Sequence, residues 1–285
     1  MRRPQAAEIV AATLFLLACA GQGLVLAWPG GAIAPPEVPC LAPTIVSRDA
    51  PLEIAGSGSN LPLVERVVAA WRAEEPGVRV RVHPSIGSGG AIRALLDGAI
   101  NIGLVSRPLR PGEGRDEFGD EPVVVWYAEV PVVAAGNPDV PVESLDAERL
   151  QRIVEGREQR WPDGSPIVFV AREPSDSSLA AAEARHPALG RALREAFLSG
   201  RFATAYSDAA LLDALERIPG AVGLTDLGQV RLRGTLRVLC ELGTKPLGAV
   251  VTGGRPREDQ AEFLARLRSP ATRALAETAG YRVLP

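Results

Sequence analysis

From Leu52 onward the apolar residues fall into short runs separated by stretches of helical spacing. The runs 52-LEIAG-56, 78-VRVRVH-83, 100-INIGLV-105, 123-VVVWY-127, 130-VPVVAA-135 and 167-IVFVA-171 have the length and content of strands. Between the first two, Leu63, Val64, Val67, Val68 and Trp71 recur at i, i+1, i+4, i+5 and i+8, which puts one apolar stripe on a helix that Pro76-Gly77 then stops. A shorter helix is predicted over 91-AIRALLDG-98. This alternation predicts an α/β fold with a mostly parallel sheet, helices on its faces, and ligand sites at strand carboxyl ends beside helix N-termini.

The pattern changes between Ala128 and Asp139, where a strand-like run ends in 136-GNPD-139 and an amphipathic helix follows around Asp146 to Glu155. That change reads as a crossing into a second lobe, with the return at 218-IPGAVGLTDLGQV-230. The expected division is therefore 52–130 with 222–285 as the first lobe and 131–221 as the second. The helices of 258–280 are expected to pack back on the first lobe. At 285 residues the chain is long enough for two modest lobes, each with its own core.

The amino terminus is of another kind. Arg2 and Arg3 precede an apolar run from Ile9 to Ala20, a Gly-Gln-Gly break and a second run from Leu24 to Trp28. Residues 1–28 thus read as a signal peptide or a membrane anchor, and three fates stay open: cleavage after Ala27, lipid attachment at Cys19, or retention of residues 9–28 as a spanning helix. Each fate places the remainder outside the cytoplasm, periplasmic or membrane-anchored. Residues 29–51 form a Pro/Gly-rich tether. With Cys19 in the leader, Cys40 and Cys240 remain as an even pair in an oxidising compartment, as a disulfide candidate or as two buried thiols. In the loop-entropy picture a disulfide closing so long a loop contributes at most about 5 kcal/mol.

Charge narrows the partners. The 31 basic and 34 acidic residues leave a net charge of −3, with no global basic field for nucleic acid. All the basic residues but Lys245 are arginine, a bias that weakens any argument from arginine counts. His83 and His186 lie in no metal-ligand spacing and beside no nucleophile, and no Gly-Lys-Ser/Thr element is present. Neither a metal site, a cofactor, nor an enzyme activity is expected. Trp126 and Tyr127 follow a valine-rich run and are more in keeping with core than with a ligand wall.

Chemistry concentrates in three short stretches. In 55-AGSGSN-60, Asn60 precedes Leu61-Pro62 at a helix start, and in 87-GSGG-90 glycines open the next helix. Uncovered backbone N–H groups at such a start attract an anion by about 0.3–1 kcal/mol, up to about 2 when partly buried. Either turn alone reads equally as a cap for its own helix; their recurrence at equivalent strand ends favours a shared ligand. The third stretch, 172-REPSDSS-178, adds an arginine whose planar fork of donors suits a tetrahedral oxyanion.

These residues also carry a resemblance. Five blocks, 56-GSGSNLPL-63, 87–109, 137–173, 207–228 and 263–285, are similar in order to the substrate-binding proteins of phosphate ABC transporters, a class II periplasmic binding protein family. The resemblance implies two α/β lobes, joined by two hinge strands, closing over one dehydrated oxyanion that is handed to an ABC permease. By position it implies that Asn60 and the amide of Leu61 serve as first-lobe donors, with Ser88, Gly89 and Ser106 beside them. Arg172 takes the place of the arginine that pairs with phosphate, and Ser177 and Ser178 that of the family's Gly-Thr. A monomeric carrier of inorganic phosphate is expected. The alternative is a membrane-tethered sensor or interaction protein that kept the fold without transport.

Two positions depart from the family pattern. Arg107, in 105-VSRPL-109, stands where an acidic acceptor is common, and Asp176 stands where a serine is usual. Like unit charges about 4 Å apart repel by about 4 kcal/mol at an effective dielectric of 20, so an unpaired Asp176 would oppose a dianion. Asp176 is expected to pair with Arg107 or Arg172, or to cap the helix near Ser177, or else the ligand is a protonated or different oxyanion; the sharpest expectation has Arg107 and Asp176 facing each other across the cleft.

Overall fold

The structure is a computed structural model that describes residues 50–113, 122–253 and 256–284. The expected leader or anchor over 1–28, with Cys19, the tether as far as residue 49, and Cys40 lie outside the described residues.

The first stretch is two βαβ units. Strand β1 (Leu52–Gly56) is followed by helix α1 (Leu61–Glu74), strand β2 (Val80–Val82), helix α2 (Gly87–Leu96) and strand β3 (Ile102–Val105), and β1 pairs in parallel with both β2 and β3. The stripe Leu63, Val64, Val67, Val68 and Trp71 is buried against this sheet, as its spacing predicts. Each such side chain stabilises the fold by about 2 kcal/mol relative to an exposed one.

Two long strands then run through the middle. The runs expected at 123–127 and 130–135 are one 14-residue strand, β4 (Val123–Gly136), and its partner β8 (Arg237–Val251) was not foreseen. Pro131 divides the run in sequence but not in space: it lies between the residues that pair with β9 (Arg282–Val283) and those that pair with β7 (Ala221–Asp226), where β8 alone runs alongside. A residue without an N–H is tolerated best at such a gap. In β8 the pattern is interrupted by Gly243, Pro246 and Gly248. Gly243 has φ +147, and a Cβ there would meet the Ala181 carbonyl at 2.8 Å.

Between these strands lie α3 (Ala147–Val154), β5 (Val168–Arg172), α4 (Ser177–Arg185), α5 (Pro187–Leu198), β6 (Thr204–Ala205), α6 (Asp208–Arg217), β7 and α7 (Leu227–Arg233); α8 (Glu258–Leu267) and α9 (Pro270–Thr278) precede β9. The sheet order is β2-β1-β3-β8-β4-β7-β5-β6, with β9 also on β4. The sheet is mixed: β1 with β2 and β3, and β5 with β6 and β7, are parallel, whereas every pairing of β4 and β8 is antiparallel.

Buried residues form four clusters among the described residues, and the two largest meet along β4 and β8. One contains Val130, Leu247 and the α1 stripe together with Phe263, Leu264 and Leu267 from α8, so the C-terminal helices pack on the first half. The other contains Val132, Phe169, Leu193, Val222, Leu239 and Leu242. The change of partners thus falls between Val130 and Val132 on the way out and between Leu242 and Leu247 on the way back. Strand β7, which spans the expected return at 222, pairs with β5 and with the far part of β4.

Cys240 is a free thiol among the described residues, where burial pushes its pKa up to about 11, and the expected pairing with Cys40 lies outside them. No helix among the described residues is long and apolar enough to cross a membrane, and no cluster of metal-ligating side chains occurs among them.

Candidate functional site

The carboxyl ends of β1, β3, β5 and β6 open onto one cavity of about 360 Å³. Its walls come from the turn Ser57–Gly58–Ser59, the start of α2 at Ser88–Gly90, Arg107 and Arg110 after β3, the Arg172–Ser177 segment, and Tyr206–Asp208. The exposed side chains of Ile86 and Tyr206 flank it. Ligands of open α/β sheets bind at such a place because connecting loops and helix N-termini gather there.

The two halves meet through hydroxyl groups. Ser106 Oγ lies 2.6 Å from Ser57 Oγ and 2.9 Å from Ser177 Oγ, while the Ser106 N–H donates to Ser88 Oγ at 3.1 Å. Hydroxyls both donate and accept, so this chain can turn donors toward an anion without moving backbone. Helices α1 and α2 carry no side-chain cap, whereas Asp176, Ser207 and Asp226 cap α4, α6 and α7. The glycines at the start of α2 leave its first N–H groups approachable.

Arg172, the last residue of β5, is buried, and its side chain is 6% exposed. Its Nη2 donates to Asp176 Oδ2 at 2.6 Å and its Nη1 to Asp208 Oδ1 at 3.2 Å, and Nε lies 3.3 Å from Glu173 Oε2. Burial disfavours the charge of Arg172, but Asp176, Asp208 and Glu173 more than offset this and raise its pKa. Asp176 Oδ1 accepts from the Ser178 N–H at 2.8 Å. Burial pushes the Asp176 carboxyl up, yet Arg172, Lys245 and the Ser178 hydrogen bonds together hold it below the usual range. Asp208 goes the other way: burial raises it, Asp176 and Asp226 add to the rise, and the pull of Arg172 and Lys245 does not cancel them. Beneath the cavity floor Lys245, 2% exposed, pairs with Asp226 at 3.2 Å and donates to Ser178 Oγ at 2.8 Å.

Of the residues singled out from sequence, Ser88, Gly89, Arg107, Arg172, Asp176 and Ser177 line the cavity. Ser106 is buried beneath it as the centre of the hydroxyl chain, and Ser178 is turned to Lys245. Asn60 does not reach the cavity: it is fully buried, accepts from the Tyr127 hydroxyl at 2.5 Å and donates to the Val105 carbonyl at 3.2 Å. The Leu61 N–H is engaged by the Gly58 carbonyl at 3.2 Å. The part of this turn that lines the cavity is instead Ser57, Gly58 and Ser59. Arg107 does not face Asp176 in a pair. It is gripped on both nitrogens by Glu113, at 2.7 and 2.8 Å, while Asp176 takes the other two expected roles, partner of Arg172 and cap of α4.

Sequence reasoning missed Asp208, Glu173 and the Lys245–Asp226 pair. Asp208 follows Ser207 in a readable helix start, and Lys245 is the chain's one lysine, but neither signal says what the side chain reaches.

Comparison with known proteins agrees with this architecture. Residues 42–249 match the PBP superfamily domain. The phosphate-binding protein PstS of Bacillus subtilis is 30% identical over 114 residues, 39% of this chain and 36% of that protein, so the chain spans little more than a third of this relative in the match. A Clostridium perfringens protein assigned as a phosphate ABC transporter substrate-binding protein, solved with bound phosphate, superposes with a TM-score of 0.68 at 19% identity, covering 83% of this chain and 100% of that one. The periplasmic molybdate-binding protein of Azotobacter vinelandii gives a TM-score of 0.60 at 15% identity, covering 82% and 99%. The α/β halves, the two long strands between them and the matched span together make this chain a member of the PBP superfamily domain family, with the class II periplasmic-binding-protein fold.

Proposed function

We propose that the protein is an extracytoplasmic solute-binding protein that captures a tetrahedral oxyanion, inorganic phosphate before others, and delivers it to an ABC permease. The observation that carries this reading is the convergence on one cavity of Arg172, the uncapped start of α2 and the Ser57 and Ser177 hydroxyls, which Ser106 links from beneath. In the mechanism, Ser57, Ser59 and the α2 amides engage the ion from the first half. The Arg172–Ser177 segment then closes on it, with β4 and β8 as the hinge, and excludes water, which strengthens each of these contacts. Cleavage after Ala27, a lipid at Cys19 or retention of residues 9–28 would each leave the carrier outside the cytoplasm.

The choice of ion is tested by equilibrium dialysis with labelled phosphate against unlabelled phosphate, molybdate and sulfate. Displacement by phosphate at the lowest concentration fits the reading; displacement by molybdate alone reassigns the ion, and no retained label contradicts it.

One observation favours a second reading, a tethered sensor that kept the fold: three carboxylates already face Arg172. A full-length protein that retains its anchor and shows no phosphate affinity would support that reading over transport.

A further inference from the structure

The three carboxylates around Arg172 are not held alike. Asp176 is pinned twice, by Arg172 at 2.6 Å and by the Ser178 N–H at 2.8 Å. Glu173 is the neighbour of Arg172 in sequence, its side chain is 23% exposed, and its contacts are long, 3.3 and 3.5 Å. Asp208 comes from a different element, the first turn of α6, and among the described residues its one hydrogen bond to a side chain is that to Arg172. Its other oxygen reaches the first half: a Cβ placed on Gly58 would lie 2.0 Å from Asp208 Oδ2 and 3.2 Å from Ser85 Oγ. The Asp208 carboxylate therefore stands between the guanidinium and the Ser57–Ser59 turn, where an oxyanion bridging those donors has to sit.

We propose that Asp208 sets the affinity of the site by competing with the oxyanion for the Arg172 guanidinium, so that ion and carboxylate occupy the same edge in turn. This inference rests on the oxyanion reading above. The charges that face Asp208 are Arg172 from β5, Asp176 from the cap of α4, Lys245 from β8 and Asp226 from the end of β7. Two of these attract it and two repel it, so Asp208 is held in a balance of opposed charges and lacks the second hydrogen bond that pins Asp176. An anion arriving beside a charged Asp208 meets like charge in a partly dehydrated cavity. An anion arriving as Asp208 withdraws or takes a proton meets a free edge of the guanidinium fork.

The test is a titration of phosphate and sulfate into the intact protein, Asp208→Asn and Glu173→Gln, all with Arg172 in place and each confirmed as folded by circular dichroism. Asparagine keeps the shape and removes the charge; should that variant not fold, Asp208→Ser serves in its place. The expected result is binding of both anions tightened by about tenfold or more in Asp208→Asn, as removal of a close like charge requires, with a smaller change in Glu173→Gln. Sulfate binding to the intact protein is also expected to strengthen on acidification, and the Asp208→Asn protein to show a flatter profile. Unchanged or weaker binding in Asp208→Asn, beside measurable binding in the intact protein, overturns this inference while leaving the oxyanion reading in place. Equal tightening in Glu173→Gln overturns it too, since general loss of negative charge then explains the gain. No binding of either anion by any of these proteins overturns both.

Discussion

Arg172 and Asp176, four residues apart across the end of β5 and the start of α4, form a buried ion pair at 2.6 Å in which the same carboxylate also caps the helix. The pair makes an acidic residue that lines the cavity a structural part of its wall. Each Asp176 oxygen is engaged within the wall, one by Arg172 and the other by the Ser178 N–H.

Replacing Asp176 with Ala removes both roles. Loss of one partner of a buried ion pair costs about 3–5 kcal/mol, and the lower end applies because Asp208 still faces Arg172. Urea unfolding should show a loss of about 3 kcal/mol, the cap included; a change under about 0.5 kcal/mol, the size of an ordinary surface substitution, would contradict the pairing.

The same pair predicts a pH dependence. The Asp176 carboxyl lies below its ordinary value of 3.8 in the folded protein, so its contribution is fully present above that value and is lost as pH falls through the depressed one. Asp208 has the opposite sign: its raised carboxyl takes up a proton above 3.8, which favours the folded state as the pH falls. Acid unfolding of Asp176→Asn should therefore lose part of its dependence below 3.8, and that of Asp208→Asn should lose a stabilising rise above it. Circular dichroism across an acid titration reads both; coincident curves for all three proteins would refute the assignment.

Asn60 and Tyr127 give a third prediction, of stability without ligand effect. Tyr127→Phe strips a buried Asn60 oxygen of its short hydrogen bond, which costs about 1–3 kcal/mol. Burial holds the Tyr127 phenol far above its usual pKa, so the hydroxyl stays a donor at any physiological pH. Thermal unfolding should report the loss, and anion affinity should stay within about twofold, well inside the tenfold that 1.4 kcal/mol represents. A large fall in affinity with unchanged stability would restore Asn60 to the ligand site.

Lys245→Met probes the floor of the cavity. Methionine fills the volume but leaves Asp226, fully buried, without its cation, at a cost of about 3–5 kcal/mol. Chemical denaturation measures it, and a neutral result would show that Asp226 is satisfied by its cap of α7 alone.

Much of the first half was legible because its signals are local. The α1 stripe and the Pro76-Gly77 stop each lie within one turn or run and are where their pattern places them, whereas α2 begins at Gly87, four residues before the expected 91, because the GSGG turn itself winds into the helix. The long strands were harder. β4 divides at Glu129-Pro131, and β8 is broken by Gly243 and Pro246; only their mutual pairing makes either one continuous. The site divides in the same way. Arg172, Asp176 and Ser177 share a segment and were found together, but Asp208 reaches Arg172 over a separation of 36 residues, which no local pattern encodes. Asn60 misled for a related reason: a polar residue before a helix resembles a ligand donor until its partner, Tyr127, 67 residues on, is seen.

The central claim is that Arg172 holds an oxyanion, and calorimetric titration of phosphate into protein stripped of bound anion, beside Arg172→Ala, tests it most directly. The account predicts saturable binding by the intact protein and a loss of at least about a hundredfold in the variant, the scale of a buried charge-assisted contact. Equal affinity in the two proteins, with both shown to be folded, would contradict it.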